Sequence, residues 1–137
     1  MERTRMEIAE RIPLGTRAPQ AARRTVDRLG DMTSAGVRDM ARLVVSELVT
    51  NTVRHSGLRA GDPIEVRISL HPNTLRIEVA QAGSSFEPRV QTPSTDVIFG
   101  RGLMILDQVA DRWGTLPNGG VTVWAELDLS RARRDAA

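Results

Sequence analysis

A carboxylate and an amide lie one helical turn apart in the segment ELVTNTVRH, which places Glu47, Asn51 and His55 at intervals of four residues. A carboxylate can accept a proton from a hydroxyl or water, and an amide oxygen is a plausible ligand for Mg²⁺. Asn51 falls beside an apolar stripe of the predicted helix. Polar side chains beside the apolar stripe of a helix indicate that this part of the helix forms the floor of a pocket. The stripe comprises Val37, Ala41, Val44 and Leu48.

Two glycines before a second predicted helix suit a phosphate site. Gly100 and Gly102 flank Arg101 directly before a short apolar segment. Glycine lets the backbone approach an anion closely. The first backbone amides of a helix, here those of residues 100 to 103, bind phosphate with the help of the helix dipole. Each feature alone has an ordinary explanation, because Glu and Asn at helical spacing usually mark a solvated face and Gly-x-Gly a flexible loop end. The pair of features together favours a site that binds phosphate close to Mg²⁺.

Periodicity predicts the elements that hold these residues. The predicted helices cover residues 18–29, 102–110 and a long stretch from a cap at Thr33 or Ser34 to about residue 56. The predicted strands cover residues 6–12, 64–70, 75–79 and 121–129, the first as an edge strand and the middle two as a hairpin. Strand–helix alternation is missing, so we expect an α/β (α+β) two-layer sandwich with helices on one face of a mixed, mostly antiparallel sheet.

The composition suits one small domain. With 137 residues, of which 40% are hydrophobic, the chain can bury one core, and we expect a single domain over residues 1–130 with a disordered charged tail over 131–137. No apolar run approaches 18 residues, and the amino terminus lacks the apolar region of a secretory signal, so we expect no membrane span and a cytoplasmic location. The absence of cysteine excludes disulfides and thiolate metal sites.

The charge pattern does not predict direct binding of nucleic acid. The 19 basic residues are all arginine and stand against 17 acidic residues, and only residues 131–134 form a basic run. The chain has two Trp, two Phe and no Tyr, too few for an aromatic stacking surface. We expect His55 and His71 to be structural or surface residues, and Trp113 and Trp124 to be packing residues.

Two segments resemble motifs of the GHKL family of ATP-binding domains, in the family's order and spacing. ELVTNTVRHS, residues 47–56, is similar to the N box, and GRGLMIL followed by DRWG, residues 100–114, is similar to the second glycine box. Within the family the chain most resembles small bacterial anti-sigma factors with serine/threonine protein kinase activity, which have the Bergerat-type fold. The resemblance implies ATP and Mg²⁺ as ligands, with Glu47 as catalytic base and Asn51 as the Mg²⁺ ligand.

The same resemblance implies a wider nucleotide site and a set of partners. The residues from 83 to 99 correspond to the family's ATP lid. The implied partners are a sigma factor, an anti-sigma antagonist protein and a second copy of the chain in a homodimer. The implied nucleotide-binding residues are Asn51, Gln81, Gly83, Gly100, Arg101, Gly102 and Leu103.

The first glycine box departs from the family's pattern of Asp-x-Gly-x-Gly. This chain has Gln81-Ala82-Gly83-Ser84-Ser85, so Gln replaces the Asp and Ser replaces the second Gly. Gln81 can present an amide oxygen to the adenine amino group, but it carries no charge and is one methylene longer than Asp. Ser85 adopts positive φ less readily than Gly. The substitutions predict weakened or lost nucleotide binding beside an unaltered catalytic half.

Two functions follow from these observations. The chain is either a kinase that phosphorylates a serine or threonine of a partner antagonist, or a nucleotide-independent module that sequesters a sigma factor or other regulator. Retention of Glu47 favours the kinase, whereas Gln81 and Ser85 favour the module. The catalytic module of a sensor histidine kinase is a third possibility, which we do not expect because no dimerisation helix or phosphoacceptor segment precedes the domain.

Overall fold

The computed structural model describes residues 3–55, 59, 61–81, 101–116 and 122–130, and over 53–55 and 101–104 it describes the backbone alone. The predicted loop at 83–100, the turn at Asn118 to Gly120 and the tail at 131–137 lie outside these residues. The elements, in chain order, are β1 (Met6–Pro13), α1 (Ala18–Asp27), α2 (Ala35–His55), β2 (Pro63–Leu70), β3 (Thr74–Gln81), α3 (Arg101–Val109), β4 (Arg112–Leu116) and β5 (Thr122–Asp128), with a 3-10 turn at Gly30–Met32.

The strands form one five-stranded sheet in the order β1-β2-β3-β5-β4, and every pairing is antiparallel. The helices pack on one face of it, where α1 contacts β1 and α2 contacts β3 and β5. This is the predicted two-layer sandwich. The expected parallel component is not found among the described strands, because hairpins and a return along β5 bring each strand beside an oppositely directed neighbour.

Alternation along the strands separates the two faces of the sheet. In β2 the even-numbered residues are buried under the helices, and the residues between them are half-buried on the other face. The same pattern continues in β3, where Leu75, Ile77 and Val79 are buried. We call the side without helices the outer face. The buried residues of β2 are Ile64, Val66, Ile68 and Leu70.

Local contacts set the ends of the first two helices. The N–H groups of Arg28 and Leu29 bond to carbonyl oxygens three residues back, which tightens the last turn, so α1 ends at Asp27 rather than at the predicted residue 29. The hydroxyl of Ser34 accepts a hydrogen bond from the Val37 N–H at 3.2 Å, and Ser34 is therefore the cap of α2. The Arg38 guanidinium donates to backbone carbonyls in the intervening turn.

The long helix α2 forms the centre of the helical layer. The predicted apolar stripe is confirmed, since all four of its residues are buried, and Val45 and Val49 widen it. Burial of such a stripe, at roughly 25 cal/mol for each Å² of apolar surface, is the main favourable contribution to the stability of a helix in a folded domain. The stripe also fixes which side of α2 faces the sheet, and it thereby fixes where the polar residues at the end of the helix point.

Strand β4 is absent from the sequence-based prediction. It is five residues long, it contains Gly114, and its sequence RWGTL shows no clear alternation. Its pairing with β5 decides its conformation, because Arg112 lies opposite Glu126 and Trp113 opposite Ala125. Among the residues that the structure describes, no helix is long and apolar enough to cross a membrane.

Candidate functional site

The last two turns of α2 carry the predicted catalytic pair. Asn51 is 3% exposed, and its Nδ2 has no hydrogen-bond partner among the described residues. Next to it Thr52 is 4% exposed, but the Thr52 hydroxyl donates to the Leu48 carbonyl at 2.9 Å. A buried amide without a partner costs on the order of 1–3 kcal/mol. The Asn51 amide nitrogen can therefore donate to a ligand, whereas the Thr52 hydroxyl is already bonded within the helix.

Glu47 lies one turn before Asn51 and is half-buried. Four residues along an α-helix correspond to about 400°, so the two side chains leave the same face of α2. Within the described part of the chain, no side chain or backbone group forms a hydrogen bond or ion pair with the Glu47 carboxylate. The structure thus brings an unpaired carboxylate and an unpaired amide group together, as the spacing predicts.

The amide of Asn51 offers two kinds of contact. Its oxygen accepts hydrogen bonds or coordinates a cation, and its nitrogen donates. The two ends exchange when the side chain rotates by 180°, and an assignment of O and N rests on the surrounding hydrogen bonds. A ligand with both a cation and anionic oxygens would satisfy the two ends at once.

Gln81, the predicted adenine contact, is the last residue of β3. It lies opposite Ile64 in the ladder and is exposed, in contrast to the buried Val79 two residues earlier on the same face. The alternation places Gln81 on the face of the sheet that α2 covers. Its side chain is therefore accessible at the rim of the helical layer.

The predicted phosphate turn is the beginning of α3. The backbone of Arg101, Gly102 and Leu103 forms its first turn, and α3 packs against both α2 and β4. The side chains of these three residues, and the predicted site residues Gly83 and Gly100, lie outside the described part. The fold hence brings the helix that carries Asn51 into contact with the helix whose first amides were predicted to bind phosphate.

Comparison with known families identifies the family of this domain. The family model of the histidine kinase-like ATPase domain matches residues 15–126. The chain belongs to this family. No curated protein matches the sequence. The matched span contains every residue of the predicted site, from Glu47 on α2 to Leu103 on α3.

In this ATPase domain the donor set fits a magnesium nucleotide. Mg²⁺ prefers oxygen ligands and is commonly held by one or two protein side chains together with substrate phosphates. The amide oxygen of Asn51 can be such a protein ligand. Among the described residues the Asn51 Nδ2 has no hydrogen-bond partner, so it is free to donate to an anionic ligand oxygen. In the described part of the chain, no three His, Cys, Asp or Glu side chains form a cluster. A magnesium ion held mainly by phosphates needs no such cluster.

Contacts at the other end of α3 were not predicted. The indole Nε1 of Trp113 donates to the carboxylate of Asp107 at 2.6 Å, and the Asp111 N–H donates to the Glu126 carbonyl at 2.9 Å. In addition, the Asp128 N–H donates to the Asp111 carboxylate at 2.6 Å. These bonds fix the carboxyl end of the helix on the β4–β5 hairpin. In the sequence, only the polar segment DRWG after the apolar helix indicated that such bonds could form there.

The outer face of the sheet carries a separate set of ion pairs. Arg76 bonds Glu78 at 2.6 Å and Glu126 at 3.2 Å, and its guanidinium lies 4.5 Å from the centre of the Trp124 ring. Hydrogen bonds from Arg112 to Asp128 and then to Glu126 raise the pKa of the Arg112 guanidinium above its usual range. This network lies across the sheet from the helical layer and takes no part in the candidate site.

Proposed function

We propose that this ATPase domain binds ATP with Mg²⁺ and phosphorylates a serine or threonine of a partner protein. The observation that carries the proposal is the buried Asn51, whose Nδ2 has no partner among the described residues, one turn from the Glu47 carboxylate, which has none there either. Within the described residues neither group has a side-chain partner, and for the buried Asn51 amide this is unusual, since buried polar groups in proteins are nearly always hydrogen-bonded.

Each side chain has one role in this proposal. Asn51 holds Mg²⁺ through its amide oxygen, and the amides of the first turn of α3 bind phosphate oxygens. Bound Mg-ATP supplies the phosphoryl group. Glu47 accepts the proton of the substrate's serine or threonine hydroxyl. The hydroxyl oxygen bonds to the γ-phosphorus while the bond from the γ-phosphorus to the ADP oxygen breaks. Positioning and charge stabilisation dominate phosphoryl transfer, so a small set of groups is chemically sufficient.

We further propose that the phosphorylated partner is an anti-sigma antagonist and that the chain also binds a sigma factor, as a cytoplasmic regulator of transcription. The support is the resemblance of residues 47–56 and 100–114 to the anti-sigma kinases. The two activities coexist in that group, because the antagonist is the protein whose phosphorylation controls release of the sigma factor.

One observation favours a second candidate function, a sequestering module that works without nucleotide. The residue at the adenine position is Gln81, at the exposed end of β3, where the family has an Asp. A neutral amide gives the adenine amino group a weaker hydrogen bond than a carboxylate does. If the adenine half of the site is lost, binding of a regulator remains as the function.

Titration of the purified chain with ATP and Mg²⁺ in a calorimeter separates the two. The kinase proposal expects saturable binding that Asn51→Ala abolishes. Asn73→Ala is the matched control, because Asn73 is exposed in the β2–β3 turn, and it should leave binding unchanged. Absence of binding to the unmodified chain would reject the kinase and leave the sequestering module. Equal binding by Asn51→Ala would remove Asn51 from the site.

Transfer is tested with γ-labelled ATP and a cell extract, by detecting labelled phosphoserine and phosphothreonine. Glu47→Gln should retain ATP binding and lose labelling. Asp39→Asn is the control on the same helix, since Asp39 is exposed and pairs only with Arg42 in the described part. Labelling that persists in Glu47→Gln would show that Glu47 is not the base.

A further inference from the structure

Contacts between the first two helices show at which end of the helical layer Asn51 lies. Arg42 of α2 donates to the carboxylate of Asp27 in α1 at 2.6 Å, and Arg23 of α1 donates to the hydroxyl of Ser46 in α2 at 2.9 Å. As the chain advances by four residues in α2, its contacts in α1 move back by four residues, so the two helices are antiparallel. The same progression places Asn51 beside the beginning of α1.

The end of β3 lies at this same end of the sandwich. Helix α1 begins only five residues after β1 ends at Pro13. Pro13 lies opposite Pro63, the first residue of β2. The next residue of β2, Ile64, lies opposite Gln81, the last residue of β3. Gln81 and Asn51 are therefore at the same end of the sheet, on the side that the helices cover.

The amide group of Gln81 is not held in one orientation. Its side chain is exposed, and it forms no hydrogen bond with any group in the described part of the chain. The described neighbours on the same face, Val79 and Ile64, are apolar and buried, so they supply no charge or polar group that selects one orientation. The terminal torsion of a glutamine side chain is broad and roughly two-fold, and a rotation of 180° exchanges its oxygen and nitrogen. Gln81 can thus present an acceptor or a donor at the same point.

Purine bases differ in what they present at C6 and N1. Adenine has an amino donor at C6 and an acceptor at N1, whereas guanine and hypoxanthine have an oxygen acceptor at C6 and an N–H donor at N1. A carboxylate can only accept, so it matches the amino group of adenine but opposes the C6 oxygen of guanine. A carboxamide matches both bases, because its oxygen accepts from the amino group and its nitrogen donates to the C6 oxygen.

We propose that Gln81 makes this nucleotide site tolerant of 6-oxopurines, so that it binds guanosine and inosine triphosphates (GTP and ITP) as well as ATP. This inference rests on the proposed function, because it concerns the base of the nucleotide whose Mg²⁺ and phosphates Asn51 and α3 bind. The absence of a negative charge at residue 81 weakens the bond to adenine, and it also removes the repulsion that excludes guanine. Gln81 is therefore a specificity-determining residue.

Calorimetric titration of the full chain with Mg²⁺ and each nucleotide in turn tests the proposal. ATP, ITP and GTP should bind with dissociation constants within about tenfold of one another, since each base forms a neutral hydrogen bond with Gln81 at C6. ITP differs from GTP only in lacking the 2-amino group, so it reports on the C6 oxygen alone. The triphosphate of purine riboside has no group at C6, and it should bind more weakly than ATP.

Gln81→Glu isolates the hydrogen-bond donor, because glutamate has the same length as glutamine and its carboxylate only accepts. The affinities for ITP and GTP should fall at least tenfold relative to the affinity for ATP, since the C6 oxygen then faces a carboxylate. The affinity for ATP should be kept or increased. Asn73→Asp is the matched control, because it replaces an exposed amide by a carboxylate at the opposite end of the β2–β3 hairpin. It should leave all three affinities unchanged.

The possible outcomes separate this inference from the proposed kinase. Binding of ATP without binding of ITP and GTP would overturn the inference and leave the ATP site in place. An unchanged ratio of GTP to ATP affinity in Gln81→Glu would overturn it as well, since residue 81 would then not contact the base. Absence of binding by all three nucleotides would reject the proposed function itself, together with the site on which the inference rests. Circular dichroism of each variant shows whether it is folded.

Discussion

The indole nitrogen of Trp113 donates a hydrogen bond to the carboxylate of Asp107 at 2.6 Å, which joins strand β4 to helix α3. Trp113 also packs against the edge of the core, so the bond is held in place by apolar contacts. The same helix begins with the amides predicted to bind phosphate. A side-chain bond at one end of α3 therefore restrains the position of the other end, because a helix of nine residues behaves as a rigid unit.

We expect Trp113→Phe to lower the free energy of unfolding by about 1 kcal/mol, since phenylalanine keeps an aromatic ring but has no N–H donor. Urea denaturation followed by circular dichroism measures the change. A double-mutant cycle with Asp107→Ala isolates the bond, and the two effects should be less than additive by about the same amount. Strict additivity would mean that the bond contributes nothing. In either variant the affinity for ATP should fall if α3 positions the phosphates.

The sequence predicted the parts of the fold that depend on local pattern. The α2 stripe and the β2–β3 hairpin follow from periodicities of 3.6 and 2, and the edge position of β1 from its loose alternation and the proline that ends it. All three are confirmed. Strand β4 was not predicted because its conformation depends on pairing with β5 and not on its own five residues. The Trp113 to Asp107 bond depends likewise on how helix and hairpin meet, which no local pattern encodes.

The candidate site, like the fold, could be predicted from the sequence only in part. Helical spacing alone placed Glu47 and Asn51 on one face of α2, but only the three-dimensional structure shows that the Asn51 Nδ2 has no partner among the described residues. The position of Gln81 at an exposed strand end depends on where the β2–β3 ladder stops. Sequence patterns give the types of the functional groups, while packing decides which of them are left unpaired.

Arg112 should contribute modestly to stability at neutral pH. Arg112→Gln removes bonds to Asp128 and Glu126 from a half-exposed side chain, so we expect a loss below about 1 kcal/mol that shrinks further in high salt. Thermal unfolding at low and high ionic strength measures it. Arg24→Gln, an exposed arginine without an ion pair in the described part, should have a smaller effect.

The pH dependence of the Arg112 contribution has a definite sign. Its pKa is raised in the folded state, so the stabilisation is complete below the unfolded pKa and is lost only as the pH rises through the folded value. Because both pKa values lie far above neutrality, the difference in unfolding free energy between the unmodified chain and Arg112→Gln should be constant from about pH 6 to 9. A difference that changes across this range would point to another titrating group.

Gln81→Asp should strengthen ATP binding about fivefold, because a carboxylate accepts a stronger hydrogen bond from the adenine amino group than an amide does. Gln81 is exposed, so the free energy of unfolding should change little. Calorimetric titration measures the affinity. Gln20→Asp introduces the same change at an exposed position of α1 and should have no effect. Unchanged affinity in Gln81→Asp would show that the end of β3 does not contact the base.

Asn51→Leu separates a binding role from a structural one. If the buried amide serves to bind a ligand, its replacement by an apolar side chain of similar size removes an unsatisfied polar group. The nucleotide-free protein should then become more stable by about 1 kcal/mol or more. It should also lose ATP binding. Thr52→Val is the matched control, because the Thr52 hydroxyl is already satisfied by the Leu48 carbonyl, and no comparable gain is expected there. Urea denaturation without nucleotide gives both values. A marked loss of stability in Asn51→Leu would mean that the amide serves the fold, and the catalytic assignment of this end of α2 would then lose its main support.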